Sequence, residues 1–129
     1  MIVADSSAVV EVLLNTPSGL DIRRRFELEE AIHVPHLLDL EVLQVLRRYD
    51  RTSAFDAQRM DEALQDYEDL PLRRHSHRVL LPRIWELRHN LTAYDATYLA
   101  LAEALDAPLI THDRAFANIS GHRARVLVL

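Results

Sequence analysis

The sequence predicts an α/β fold, an open parallel sheet of four to five strands flanked by helices on both faces. Short apolar runs that read as buried strands alternate with longer helical segments. Five such runs occur, at Met1–Ala4, Ala31–Val34, Leu70–Leu72, Leu109–Thr111 and Val126–Val128. A helix or helical turn separates each pair, as parallel strands require for their crossovers. The 129 residues, with only 2 Gly and 5 Pro, suit one ordinary domain over 1–129 and leave little for linkers.

Met1-Ile2-Val3-Ala4 is apolar up to Asp5 and reads as the first strand. Ser6 and Ser7 offer hydroxyl caps to a helix over Ala8–Leu14. Pro17-Ser18-Gly19 is expected to break that helix, and Asp21–Glu29 to form the next. Ala31–Val34, closed by Pro35, is the second strand. Leu37–Tyr49 is apolar and free of Gly and Pro, hence helical. Ser53–Tyr67 sets Phe55, Met60, Leu64 and Tyr67 against a charged face, the pattern of an amphipathic helix. Leu70–Leu72 is a third strand, confined to an edge by Pro71. A helix over Val79–Arg88 takes Pro82 in its first turn. Thr92 caps the helix Ala93–Leu105, which is apolar almost all round and therefore buried. Leu109–Thr111 is the fourth strand, Arg114–Ala117 a helical turn, and Val126–Val128 the closing strand.

Composition excludes several chemistries. Cysteine is absent, which removes disulfides, thiolate nucleophiles and Cys-based zinc sites. All 15 basic residues are Arg. Without Lys there is no P-loop, no Schiff base, and no strand-end Lys of receiver domains or haloacid dehalogenase-type phosphatases. The net charge of −5 argues against simple coating of nucleic acid. No basic-then-apolar leader and no uncharged apolar run of ~20 residues is present, so a cytoplasmic protein without membrane contact is expected.

The acids carry the chemistry. In parallel α/β sheets, function collects beyond the carboxyl ends of the strands. Asp5 follows the first strand directly, and Asp113 lies two residues after Thr111 at the end of the fourth. Asp95 sits in the first turn of an apolar helix, and Glu41 lies in the apolar segment Leu37–Leu46, with Asp39 two residues before it. Taken singly, each acid has a structural explanation: Asp5 as a helix cap, Asp95 as a partner of the helix dipole, Glu41 as a surface acid paired with Arg48. Gathered on one rim they need a cation or raised pKa values, since two carboxylates ~4 Å apart repel by ~4 kcal/mol at an effective dielectric of about 20. Hard oxygen ligands without Cys select Mg²⁺ or Mn²⁺, the equipment of metal-assisted phosphodiester hydrolysis.

The chain resembles the PIN-domain ribonucleases, specifically the VapC toxins of bacterial toxin–antitoxin pairs. The resemblance spans essentially the whole chain. It is carried by Ile2-Val3-Ala4-Asp5-Ser6-Ser7-Ala8, by Asn90 through Tyr94-Asp95-Ala96 to Ala102, and by Pro108-Leu109-Ile110-Thr111-His112-Asp113-Arg114-Ala115-Phe116. It implies a three-layer fold with strand order 3-2-1-4-5. It implies that Asp5, Glu41, Asp95 and Asp113 bind the metal, that Ser6 and Thr111 support the acids or a metal-bound water, and that Asn90 occupies a polar position ahead of the Tyr-Asp-Ala segment. It further implies an endoribonuclease acting on tRNA or ribosomal RNA to inhibit translation, a homodimer, and a VapB-type antitoxin whose C-terminal segment blocks the acidic groove. A PIN-like module that binds RNA or protein without cutting is the alternative.

Arg73, Arg74, Arg78 and Arg114 are the candidate contacts to RNA phosphates, against an equally simple reading as a solvated helix face. Arg23, Arg24 and Arg25 are expected to pair along their helix with nearby acids. Seven His include the pairs His33/His36 and His75/His77, but no His-Glu-x-x-His and no third ligand, so surface His is expected. His112 is expected to point away from its neighbour Asp113, since side chains alternate along an extended segment. Trp85 is read as packing or as a subunit contact.

Overall fold

Ile2, Val3 and Ala4 are three consecutive buried apolar residues, as a strand covered on both faces demands. They form β1 (Ile2–Ala4) at the centre of the sheet in a computed structural model that describes residues 1–129. Its other strands are β2 (Ile32–Pro35), β3 (Leu72–His75), β4 (Leu109–Thr111) and β5 (Val126–Val128). The order is β3-β2-β1-β4-β5 and every pairing is parallel. The predicted α/β class and strand order are therefore observed. Asp5 N–H donates to the Ile110 carbonyl at 3.2 Å, so the ends of β1 and β4 lie side by side.

Six α-helices flank the sheet: α1 (Ser6–Leu13), α2 (Pro17–Phe26), α3 (Leu37–Thr52), α4 (Ala57–Glu68), α5 (Leu81–Glu86) and α6 (Ala93–Leu105). α6 packs on β1, β2 and β4 with α5 beside it, while α1 packs on β4 with α2, α3 and α4 grouped around it. One cluster of 30 buried apolar residues joins both layers to the sheet. Ala96 through Ala102 of α6 are all buried, matching a helix apolar on every side. No helix is long and apolar enough to cross a membrane.

Several elements depart from expectation for identifiable reasons. Asp5, rather than Ser6 or Ser7, caps α1, its Oδ1 accepting from Ala8 N–H at 3.0 Å. A carboxylate caps as well as a hydroxyl, and the residue adjoining the strand holds the extended backbone that a cap requires. Pro17 opens α2 instead of breaking a helix, because a proline in the first turn has no N–H to lose; Thr16 caps it by accepting from Gly19 N–H at 3.0 Å. α3 runs past Tyr49 to Thr52 and ends at Ser53 in the left-handed region (φ 56°). α4 starts at Ala57 behind its cap Asp56, whose Oδ1 accepts from Arg59 N–H at 2.7 Å.

β3 lies at Leu72–His75, not Leu70–Leu72. Pro71 supplies only its carbonyl, which accepts from Ile32 N–H at 2.8 Å, and the paired segment begins beyond it. Arg73 and Arg74 thus sit exposed on an edge strand, where charge discourages pairing with another chain. Trp85 is 67% exposed, with the Arg88 guanidinium 4.5 Å from its ring centre, instead of packing inward.

Candidate active site

Topology dictates where the acids meet. Asp5 caps α1 directly beyond β1, and it is buried, with 4% exposure. Its Oδ1 accepts from Ala8 N–H at 3.0 Å and from Ser7 Oγ at 2.7 Å, and its Oδ2 accepts from Thr111 Oγ1 at 2.5 Å. An ionised carboxylate accepts in about four directions, so Oδ2 keeps one for a further partner. Burial raises the Asp5 pKa, and Asp113 adds to the rise despite the three hydrogen bonds that oppose it. The cap and the candidate ligand are one residue; the structural explanation and the functional one do not compete.

Thr111 ties the rim together. Fully buried, it donates to Asp5 and accepts from Asp113 N–H at 3.0 Å. Asp113 is exposed and caps the 3₁₀ turn Arg114–Asn118, its Oδ1 accepting from Ala115 N–H at 2.9 Å. Ser7 also supports Asp5: it donates to Asp5 Oδ1, accepts from His112 N–H at 2.9 Å and lies 3.1 Å from Thr111 Oγ1. Ser6 stands at another of the four acids, beside the Glu41 carboxylate and the Tyr98 phenol, where it helps to hold the Glu41 pKa down against burial. Because Asp5 is the cap, the residue two positions on turns back over it, and the Asp-x-Ser spacing was the signal available for Ser7.

Glu41 and Asp39 part company on α3. The Asp39 carboxylate accepts from Arg74 Nε at 3.0 Å and Nη2 at 2.9 Å, and from Tyr67 Oη at 2.5 Å. Burial pushes the Asp39 pKa up, but the bonds from Arg74 and Tyr67 outweigh it and hold the pKa low. Glu41 turns the other way and accepts from Tyr98 Oη of α6. Burial raises the Glu41 pKa, and the charges of Asp95 and Asp5 raise it further. Asp95 is half-buried in the first turn of α6, and its carboxylate accepts no hydrogen bond; burial and then Asp113 raise its pKa.

The repulsions close a ring: Asp5 with Asp113, Asp113 with Asp95, Asp95 with Glu41, and Glu41 with Asp5. Four acids from separate stretches of chain share one field. No three of them approach closely enough to form a ready cage for an ion. The donor set is nonetheless all carboxylate oxygen and its members repel one another, which suits a hard divalent cation and no soft one.

A stability consequence follows. Asp5, Glu41 and Asp95 are harder to ionise in the folded chain than in the unfolded one. Each opposes folding at pH above its raised pKa, and that opposition fades as pH falls to the ordinary carboxylate range. Asp39 and Glu103, held low by Arg74 and Arg83 against the effect of burial, act with the opposite sign: their support is present above that range and is lost as pH falls through their lowered values. Asp95→Asn should therefore raise the melting midpoint of the metal-free protein at neutral pH more than at about pH 3, where the carboxyl is protonated in both states. Melting curves of the variant and the wild type in EDTA at the two pH values check this; an equal shift at both, or a fall at neutrality, would contradict it.

The remaining candidates disperse. Asn90 touches no acid; its amide donates to the Ser120 carbonyl at 3.0 Å and lies against Gly121, so it braces the loop before β5. Arg74 is engaged by Asp39, whereas the guanidinium groups of Arg73, Arg78 and Arg114 are exposed without a hydrogen-bond or ion-pair partner. Arg24 and Arg25 pair with Asp21 and Glu29, while Arg23 donates to the Val12 carbonyl at the end of α1. His33 is a correction: it is buried, its Nδ1 2.8 Å from His75 Nε2 on the adjacent strand. His112 does point away from the acids, its Nδ1 2.6 Å from the Leu129 carbonyl oxygen.

A five-stranded parallel sheet in this order with acids on its carboxyl rim defines a class, and the chain belongs to the PIN-domain family, which matches residues 2–122. Within that family its relatives are VapC ribonucleases. It is 46% identical over 116 residues to VapC ribonuclease Mb0985 of Mycobacterium bovis, covering 88% of this chain and 86% of that protein. It is 36% identical over 126 residues to ribonuclease VapC12 of Mycobacterium tuberculosis, covering 98% and 97%. A toxin–antitoxin complex from Klebsiella pneumoniae shares the fold with a TM-score of 0.67 at 16% identity, over 99% of this chain and 97% of that one. M. tuberculosis VapC20, a sarcin–ricin loop cleaving toxin, does so with a TM-score of 0.65 at 16% identity, over 95% and 99%.

Proposed function

We propose that this chain is a Mg²⁺- or Mn²⁺-dependent endoribonuclease, the toxin of a VapBC-type toxin–antitoxin pair. The observation that carries the reading is a pair of links between the acids, Thr111 joining Asp5 to Asp113 and Tyr98 joining Glu41 to the helix that carries Asp95, in a chain 46% identical to a VapC ribonuclease. These four residues would hold the ion. A divalent cation bound there supplies Lewis-acid activation of water and neutralises charge on the phosphodiester. Asp5, fixed by Ser7, Thr111 and Ala8, is the rigid ligand. Glu41 is held from α6 by Tyr98, Asp113 is held through one oxygen by Ala115 N–H, and Asp95, whose carboxylate accepts no hydrogen bond, is the freest to move toward an ion. Arg73, Arg78 and Arg114 are free to contact RNA phosphates; Arg74 is not without releasing Asp39. The partners that fit this reading are a structured RNA such as tRNA or ribosomal RNA, a VapB-type antitoxin covering the acids, and a second copy of the chain, all in the cytoplasm.

Incubation with structured RNA should yield cuts bearing 5′-phosphate and 3′-hydroxyl ends. EDTA should stop the cutting, and Mg²⁺ or Mn²⁺ should restore it. Cleavage that persists in EDTA would overturn the metal mechanism. A protein that binds RNA and leaves it whole across a Mn²⁺ titration would favour the silent module.

A further inference from the structure

Tyr98 is almost fully enclosed, with 1% exposure, yet it ends in a polar group aimed at the rim. It lies on α6 three residues beyond Asp95, on the same face of the helix. Its hydroxyl donates to Glu41 Oε1 across the gap between α6 and α3. The acids differ in how they are fixed. Asp5 is clamped by donors from α1 and β4, and Asp113 by the backbone of its own turn. Glu41 has a longer side chain with more rotatable bonds, on a helix that offers it no donor, and Tyr98 supplies the stronger hydrogen bond that it accepts, with the Ser6 hydroxyl beside the pair.

We propose that Tyr98 is a positioning residue for the metal centre: its phenol holds Oε1 of Glu41, leaving Oε2 as the oxygen offered to a divalent cation. The proposal rests on the metal reading above and adds a residue that never itself touches the ion. A donor behind a ligating carboxylate typically changes metal affinity about 10–100-fold when removed.

Calorimetric titration with Mn²⁺ of the wild type, Tyr98→Phe, Glu41→Gln and the double variant tests it. Phe keeps the ring and its packing and loses only the hydroxyl. Tyr98→Phe should weaken Mn²⁺ binding by about 10-fold or more. In the Glu41→Gln background the same change should weaken it by less than about 2-fold, because a residue acting through Glu41 has nothing left to act on. Equal affinity in Tyr98→Phe and wild type, or the same loss with and without Glu41, would overturn the proposal alone. A wild type that takes up no Mn²⁺ would overturn the metal reading and the proposal with it. A readout independent of any variant is the carbon-13 resonance of the Tyr98 ring carbon bearing the hydroxyl. It should move during a Mg²⁺ titration with the binding isotherm of the site, and a resonance unmoved at saturation counts against Tyr98.

Discussion

Asp95→Asn should reduce RNA cleavage by about 100-fold or more while leaving the metal-free fold as stable as the wild type or more so. The two effects separate because of what surrounds Asp95. Its carboxylate accepts no hydrogen bond, burial and Asp113 both make it harder to ionise, and its charge also raises the pKa of Glu41. An amide of the same shape removes a charge that the apo fold tolerates poorly and takes away one candidate metal ligand. Cleavage rates with thermal melts in EDTA measure both effects. A variant that cuts RNA normally would remove Asp95 from the centre, and one that unfolds would make it structural. Asp5→Asn is the less informative variant. Asp5 accepts three hydrogen bonds, and the amide group would set a donor against a donor at a cost of about 1–3 kcal/mol. Lost activity there would not distinguish a missing ligand from a missing cap.

The sheet was legible because the central strands, Ile2–Ala4 and Leu109–Thr111, are short runs buried on both faces. Asp5 and Asp113 were legible for the same reason: adjacent parallel strands deliver their carboxyl ends to one place. Glu41 could be ranked over Asp39 from the helical register, but the decision belongs to tertiary structure. Asp39 finds Tyr67 on α4 and Arg74 on β3, partners 28 and 35 residues away. Tyr98 was hidden by its own chemistry, since in an all-apolar helix an aromatic side chain reads as core, which it also is. Asn90 was named on the family resemblance alone, and no local pattern in the sequence shows that its partner is the Ser120 carbonyl, 30 residues on. β3 was expected as an edge strand but two residues too early, because its polar sequence, Leu-Arg-Arg-His, has no apolar alternation to mark where it runs.

Gly19→Ala should destabilise the fold strongly, although alanine is the better helix former. Gly19 lies inside α2, is buried, and carries no positive φ, so local propensity favours Ala by about 1 kcal/mol. The opposing effect is steric. A Cβ there would sit 2.0 Å from the Glu11 carbonyl oxygen and 2.5 Å from its carbon, both main-chain atoms of α1 that cannot rotate aside. Relieving such a clash requires α1 and α2 to separate, and overpacking of this kind costs typically 1–3 kcal/mol and occasionally more. Sterics therefore win, and the urea midpoint should fall with an unchanged denaturant slope. Equal or greater stability would mean that the α1–α2 contact is looser than 2.0 Å implies. The same movement reaches the rim, because α1 carries the Glu11 carbonyl at one end and the Asp5 cap at the other. Cleavage by the folded fraction should then fall as well, though less than in Asp95→Asn, since Thr111 still holds Asp5 from β4.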